Sequence, residues 1–586
     1  MGTVYLTRVS GTHTPLPPGK RTGSLFLLAA WISIGLAPVL AAQQEAIRLQ
    51  RSYEELDLFI AAQMEADGTP GMAVGLTARE GLLRVSTYGC ADRTRREPVV
   101  ADTLFEIGSI SKSFTAIALL QLHEQGQLDL HAPISRYLPW FSVQSEFDPI
   151  TPHHLLTHTA GIPRDRDDVP SSLYQALGLR ERMTGSTPGS YFAYSNIGYQ
   201  VLGYLVEALA QRPYPQVIRE RILVPLGMRA SEPAITYAIR PRLAVGYESS
   251  YDDRPSHPTH PLAPATWIEY GAGDGSIAST AADLSAYLRM LLNRGAGPDG
   301  RILSEASFAL LTQRTVQDGP ESEHYYGYGI GIRLREGHEE ISHSGGMLGY
   351  SSMLLGDLTD GLGVVVLVNG PGRIGAVART ALQLVQAALK GEKIEAPKPR
   401  EPWKVEQPGD FAGTFRTADG KELRIEAKDS AVVLQLENQT VALEHRGEDQ
   451  FLIPHPDFAL HLLRFGRDQD GAVVEASFGV DWYLHPRYSG ARAFDMPEAY
   501  RAYPGHYRSQ QPWFTNFRIV LRKGELWLIA PSGDEEPLEP LAGGEALFRV
   551  GADKESAERL RFDSVVNGKA LRATLSGVAY YRTFTP

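Results

Sequence analysis

The stretch Glu106-Ile107-Gly108-Ser109-Ile110-Ser111-Lys112-Ser113-Phe114-Thr115-Ala116 decides how this chain is read. Apolar residues recur with helical spacing through Phe114–Leu122, so Ser109 is expected at the mouth of a helix with Lys112 three residues on. Positions i and i+3 share a helix face, which lets the lysine amine lie beside the hydroxyl. The positive end of the helix favours an alkoxide there. Such a pairing activates a serine without a histidine. By itself Ser-x-x-Lys is a short pattern, which a capping serine and a solvated lysine also produce.

Two further pieces follow in chain order. Tyr191-Phe192-Ala193-Tyr194-Ser195-Asn196-Ile197-Gly198-Tyr199 sets Tyr194 and Asn196 two apart before a second apolar helix, read over Tyr199–Leu209. A phenol is a poor base in water, but a neighbouring ammonium favours its ionised form and lets it relay protons. The plainer reading is that Tyr194 packs while Ser195 or Asn196 caps the helix. Ser342-His343-Ser344-Gly345-Gly346-Met347 lies after a strand expected over Tyr328–Arg333, and its glycines let backbone approach a substrate closely.

Ser109-x-x-Lys112, Tyr194-x-Asn196 and His343-x-Gly345, separated by 85 and 149 residues, together resemble the three motifs of the serine β-lactamase and penicillin-binding-protein superfamily. Ile150–Pro163 and Gly275–Leu284 resemble it too, and the likeness runs over about residues 50–390. It implies an antiparallel sheet flanked by helices, an α/β arrangement. It also implies Ser109 as acylated nucleophile, Lys112 and Tyr194 as the proton-shuttling pair, and Asn196 as a substrate-amide contact. The backbone N–H groups of Ser109 and Gly346 would form an oxyanion hole beside Gly345. His343 stands where many members carry the lysine of a Lys-Thr-Gly motif, and a histidine is largely neutral at neutral pH. That departure resembles the His-x-Gly subset that includes D-aminopeptidases, some of which carry one or two C-terminal β-barrels.

The rest of the chain frames this reading. It has 586 residues, 43% hydrophobic, with 57 Lys+Arg against 68 Asp+Glu and a net charge of −11. Such a length suggests three or more domains, and the acidic balance argues against nucleic acid as a partner. One cysteine, Cys90 in a turn-like setting, excludes a disulfide framework and a cysteine zinc cluster. Residues 1–42 hold no acid, place Lys20-Arg21 before an apolar run, and end on Pro38-Val39-Leu40-Ala41-Ala42. That order reads as a secretory signal peptide, with a retained anchor as the alternative. Its removal takes away three positive charges and leaves −14, with no stable membrane span and a periplasmic or secreted location expected.

The proline-spaced stretch 391–408 reads as a linker between a hydrolase domain, 43–390, and a β-rich remainder. There Asp410–Thr417 matches Ala502–Ser509 at an offset of 92, and Phe451 and Arg464-Phe465 match Phe548 and Arg561-Phe562 at 97. Two small antiparallel β-barrels are expected, 409–497 and 498–586, one of them reaching over the cleft. His154 and His158 have an i, i+4 spacing that can bind zinc, but no third ligand is evident and the structural reading is preferred; no metal or cofactor is expected. The expected activity is that of a serine peptidase or amidase on short or D-residue-containing peptides. An esterase of the same fold and a β-lactam-binding carboxypeptidase or weak β-lactamase are the alternatives, with the oligomeric state open.

Overall fold

The computed structural model describes residues 24–164, 171–319, 322–393, 395–399, 401–542 and 546–584, without the side chains of 24–42. Residues 1–23 of the expected leader lie outside the described residues, and 24–42 open the first helix. The main helices are α1 (Ser24–Asp67), α2 (Ser111–Glu124), α3 (Asn196–Ala210), α4 (Ala281–Leu292) and α5 (Ile374–Lys390). Among the described residues no helix is long and apolar enough to cross a membrane.

Nine strands make the first sheet: β1 (Gly71–Ala78), β2 (Leu82–Asp92), β3 (Glu97–Pro98), β4 (Val316–Gln317), β5 (His324–Tyr326), β6 (Gly331–Arg335), β7 (His338–Met347), β8 (Tyr350–Asp357) and β9 (Leu362–Val368). Their order is β4-β5-β6-β7-β8-β9-β1-β2-β3, antiparallel throughout. Strand β9, Leu-Gly-Val-Val-Val-Leu-Val, is buried along its whole length. Its side chains alternate between two cores, Val365 and Leu367 on one face, Val364, Val366 and Val368 on the other. The second core is closed by α5 and α1, through Val377, Ala381 and Val385 against Leu56, Phe59 and Ile60.

Helix α2 has no solvent face. Eleven of its residues are buried, and Phe114 stacks on Tyr287 of α4 at 3.8 Å between ring centroids. Burying side chains such as Phe114, Ile117 and Leu120 stabilises by about 1.5–3 kcal/mol each, which anchors the turn that precedes the helix. Three expectations change in detail. The strand read over Tyr328–Arg333 begins only at Gly331, because Gly327 N–H bonds to Ile330 O across a turn. Cys90 lies in β2, half-buried, rather than in a turn. The short helix Pro152–Leu156 stops before His158, whose φ is +57°, so His154 and His158 do not share a helix face.

After α5 the chain forms two β units. The first is a nine-stranded sheet whose outer strands, Thr440–Ala442 and Glu444–Gly447, are joined by buried Leu443 alone, so the sheet curls until its edges nearly meet. The second is a closed eight-stranded barrel from Gly505–Arg508 to Val578–Arg582. The repeated aromatics occupy matching cores, Phe415, Phe451 and Phe465 in one, Tyr507, Phe548 and Phe562 in the other. The barrel is tied to loop 248–271 by an Arg508–Asp252 ion pair and by Arg518 Nη1 donating to Asp253 O at 2.7 Å. It is tied to the curled sheet by Lys523–Glu475 at 3.0 Å.

Candidate active site

Ser109 sits in a single 3-10 turn, Gly108–Ile110, tighter than the expected α-helical start, and α2 begins at Ser111. The i, i+3 geometry holds: Lys112 Nζ donates to Ser109 Oγ at 2.9 Å. Nζ also donates to Asn196 Oδ1 at 2.7 Å and to Asp274 O at 3.0 Å. Lys112 is fully buried. An isolated buried ammonium costs several kcal/mol; here three acceptors match its three N–H groups, and the Tyr194 and Tyr199 rings lie 4.8 and 5.7 Å away. Tyr194 precedes α3, where Ser195 is the N-cap and Asn196 the first helical residue. The capping role and the lysine contact therefore fall on adjacent residues.

Strand β7 supplies the opposite side. Its pairing with β6 ends at Ser342, while its pairing with β8 continues to Met347, so His343–Met347 keep one free backbone edge. That edge meets the turn that carries Ser109. Gly108 has φ +50°, and a Cβ on it would stand 2.6 Å from Gly346 O. A Cβ on Gly345 would overlap the Ile107 carbonyl oxygen, which already accepts from Ser352 Oγ at 2.8 Å. Gly345 is buried and sets this approach, while Ser344 and Gly346 line the cleft. We expect Gly345→Ala to push β7 away from Ile107 and lower stability by about 1–3 kcal/mol, readable as a fall in Tm.

His343 is buried at the back of the cleft. Its Nδ1 lies 2.6 Å from Ser344 O, which can only accept, so the proton is on Nδ1 and Nε2 accepts from Tyr326 OH at 2.8 Å. Burial, and then the Lys112 charge, push His343 down to about 4. It therefore offers no fixed positive charge at neutral pH. Tyr326 was not singled out in the sequence, where nothing marks it. His158, one half of the i, i+4 histidine pair, has a structural place in the fold: its carbonyl accepts from Ala193 N at 2.8 Å and its Nδ1 from Ser195 N at 3.0 Å. Both neighbours of Tyr194 are thus pinned by one residue, whose ring lies 4.2 Å from the Tyr194 ring. Burial and then Lys112 hold His158 well below the usual histidine range, so it stays a neutral acceptor.

Ser109, Tyr194, Asn196, His343 and Gly346 open onto a cleft of about 960 Å³. Its walls include Arg164, Gln175, Glu248 and Tyr270. The closed barrel forms the facing wall, with Trp513, Phe514, Glu536 and Tyr580 among its contributions, and Glu558 Oε1 there accepts from Arg164 N at 2.8 Å. Among the described residues the one group with metal-ligand spacing is His338, Asp357 and Asp360. It is already knit by hydrogen bonds from Gln386 and an ion pair to Lys390.

Residues 56–389 match the family model described as Beta-lactamase. Penicillin-binding protein 4 of Amycolatopsis lactamdurans is 29% identical over 370 residues, 60% of this chain and 94% of that protein. Penicillin-binding protein 4* of Bacillus subtilis is 24% identical over 392 residues, 62% of this chain and 83% of that one. The structure of an octameric penicillin-binding protein homologue from Pyrococcus abyssi aligns with TM-score 0.55 at 24% identity. It covers 74% of this chain and 99% of that one, a likeness of fold.

Proposed function

The chain belongs to the β-lactamase family and is a serine hydrolase, and on that premise we propose that it is a secreted peptidase or amidase that works through an acyl-enzyme on Ser109. The observation that carries this reading is the Lys112 ammonium bonded at once to Ser109 Oγ and Asn196 Oδ1 beside the Tyr194 ring. Ser109 Oγ attacks the substrate carbonyl carbon, and its proton passes to the Lys112–Tyr194 pair, which shares one titratable proton between amine and phenol before the step and holds two after it. The oxygen that gains charge faces the backbone N–H groups of Ser109 and Gly346. Collapse breaks the C–N bond, and the pair returns the proton to the leaving nitrogen. Water then attacks the acyl-enzyme by the same route in reverse. Asn196 accepts from Lys112 through Oδ1, which holds its amide on the cleft beside the amine.

The neutral His343 supports an amide or peptide substrate over one read by its free carboxylate, since the fixed cation of a Lys-Thr-Gly motif is missing from that position. The barrel wall supports short substrates, because it faces the nucleophile across the cleft. Export is supported by the basic, apolar and small-residue order of residues 1–42. Fluorophosphonate labelling, absent in Ser109→Ala, tests the acyl-enzyme. A panel of L- and D-peptide p-nitroanilides, p-nitrophenyl esters and nitrocefin tests the substrate class. Turnover confined to nitrocefin would overturn the peptidase reading.

His158 acts on this chemistry through Tyr194. We expect His158→Leu to lower kcat by about tenfold with little change in KM, and to add less than about twofold in a Tyr194→Phe background. Equal effects in both backgrounds would show that His158 only stabilises the fold.

A further inference from the structure

A second cavity, of about 1010 Å³, abuts the cleft that holds Ser109. Glu248, Met347, Trp513 and Phe514 line both, so the two share a wall. Met347 is the last residue of β7 and follows Gly346, which opens onto the cleft, so that wall stands one residue from the reacting centre. The barrel stands opposite Ser109. A substrate longer than the first cavity therefore finds its room past the end of β7.

The second cavity lies at a junction. The end of α1, the loop after β9, the linker and both β units contribute to it, through Asp67, Pro371, Trp403, Glu444 and Pro512 among others. Its charges are already matched: Arg373 pairs with Asp67, Arg254 with Asp253, and His257 and Arg446 both with Glu444. What is left for a ligand is ring surface. Trp403, Trp513 and Tyr251 line the cavity at 46, 38 and 44% exposure, and six prolines stand among them. Large rings left open together in a concave site mark a place for an apolar ligand. Another aromatic ring suits such faces, since rings pair in stacked or edge-on arrangements that add to the gain from burial.

We infer that the second cavity is a distal subsite of the Ser109 centre and seats an aromatic side chain that the substrate carries a few residues from the scissile bond. This rests on the serine-hydrolase reading above and names a substrate class for that site. A ring on the acyl side and a ring on the leaving-group side share this chemistry, and two substrate sets separate them.

The test measures kcat/KM in the full chain, with glycine spacers so that any L or D preference of the cleft drops out of the comparison. The acyl set pairs phenylacetyl with acetyl p-nitrophenyl esters, with no glycine or with one, two or three between the acyl cap and the ester. The leaving-group set pairs phenethylamide with methylamide at the end of acetylglycyl-oxyacetyl esters carrying the same spacers. An extended chain advances about 3.3–3.6 Å per residue, so two or three glycines carry the ring roughly 7–11 Å farther. In one of the sets the ring should raise kcat/KM about tenfold or more with two or three glycines, and less than about threefold with none. Trp403→Ala should cut that gain at least about threefold and Trp403→Phe should keep it. The acetyl and methylamide substrates should react at the wild-type rate in both variants, because Trp403 lines the second cavity and not the first. Trp403 is nearly half exposed, so the fold does not depend on it. A ring that brings no gain at any length in either set, or a gain that survives Trp403→Ala, overturns the inference. Fluorophosphonate labelling distinguishes the two failures: a labelled Ser109 with ring-indifferent turnover removes the subsite alone, and no labelling removes the serine reading and the subsite with it.

Discussion

Lys112→Ala lowers turnover by at least about a hundredfold, and Tyr194→Phe does the same, the scale on which positioned proton transfer contributes. The lysine change removes the donor that Ser109 Oγ, Asn196 Oδ1 and Asp274 O share. The tyrosine change removes one hydroxyl and leaves the ring that faces Nζ. Because the two act as a pair, the double variant should cost little more than either single one. Stability should move separately from activity. Truncation to alanine leaves a void and three unmet acceptors, whereas Lys112→Met leaves the acceptors unmet but fills most of the volume, so it should melt above Lys112→Ala and below wild type. Steady-state kinetics with thermal melts checks all four proteins. Near-wild-type turnover in either single variant would remove that residue from the mechanism.

Glu106→Gln makes folding stability less sensitive to rising pH, with a relative gain of a few kcal/mol by pH 8.5. Glu106 is 4% exposed on the short strand that leads into the nucleophile turn, and burial pushes it up to about 8 from an ordinary 4.5. Below about pH 4.5 the carboxyl is protonated in folded and unfolded chains alike, so its neutral burial stabilises the fold in full. As the pH rises toward 8 the unfolded chain ionises and the folded one holds its proton, so the wild type loses stability across that window. A move from 4.5 to about 8 corresponds to on the order of 5 kcal/mol. The variant lacks this loss. Chemical denaturation at pH 5, 7 and 8.5 reads it, and a wild-type-to-variant difference that stays flat with pH would show that Glu106 ionises freely in the fold.

The buried histidines act in the opposite sense. His153 and His343 are both lowered to about 4, chiefly by burial, so between about pH 4 and 6.5 the unfolded chain binds more protons and stability rises with pH.

What could be read along the chain was what the chain keeps local. Ser109 and Lys112 are joined by one helical turn, and that turn places the amine on the hydroxyl wherever the helix goes. Val364–Val368 reads as a buried strand because both of its faces are apolar, and both faces meet cores. The repeated aromatics at offsets of 92 to 97 announce two alike β units, and their spacing survives in two separate cores. The order of Ser109, Tyr194 and His343 pointed to the family, though only folding closes the 84 residues between Lys112 and Asn196 to 2.7 Å.

Other features have no local signal. Tyr326 and His158 are ordinary residues until β5 and the turn after Pro152–Leu156 bring them against His343 and Tyr194. Gly345 reads as a substrate contact, yet packing turns it toward Ile107, while Ser344 and Gly346 on either side of it line the cleft. The amino-acid order thus carried the Ser109–Lys112 pairing through helical spacing, the doubled β units through repeated residues, and the sheet-and-helix class through resemblance to the family. Which β unit walls the cleft, which acceptors crowd it and which histidine holds the tyrosine were decided only by tertiary packing, because such contacts join residues hundreds of positions apart, as Arg164 and Glu558 show.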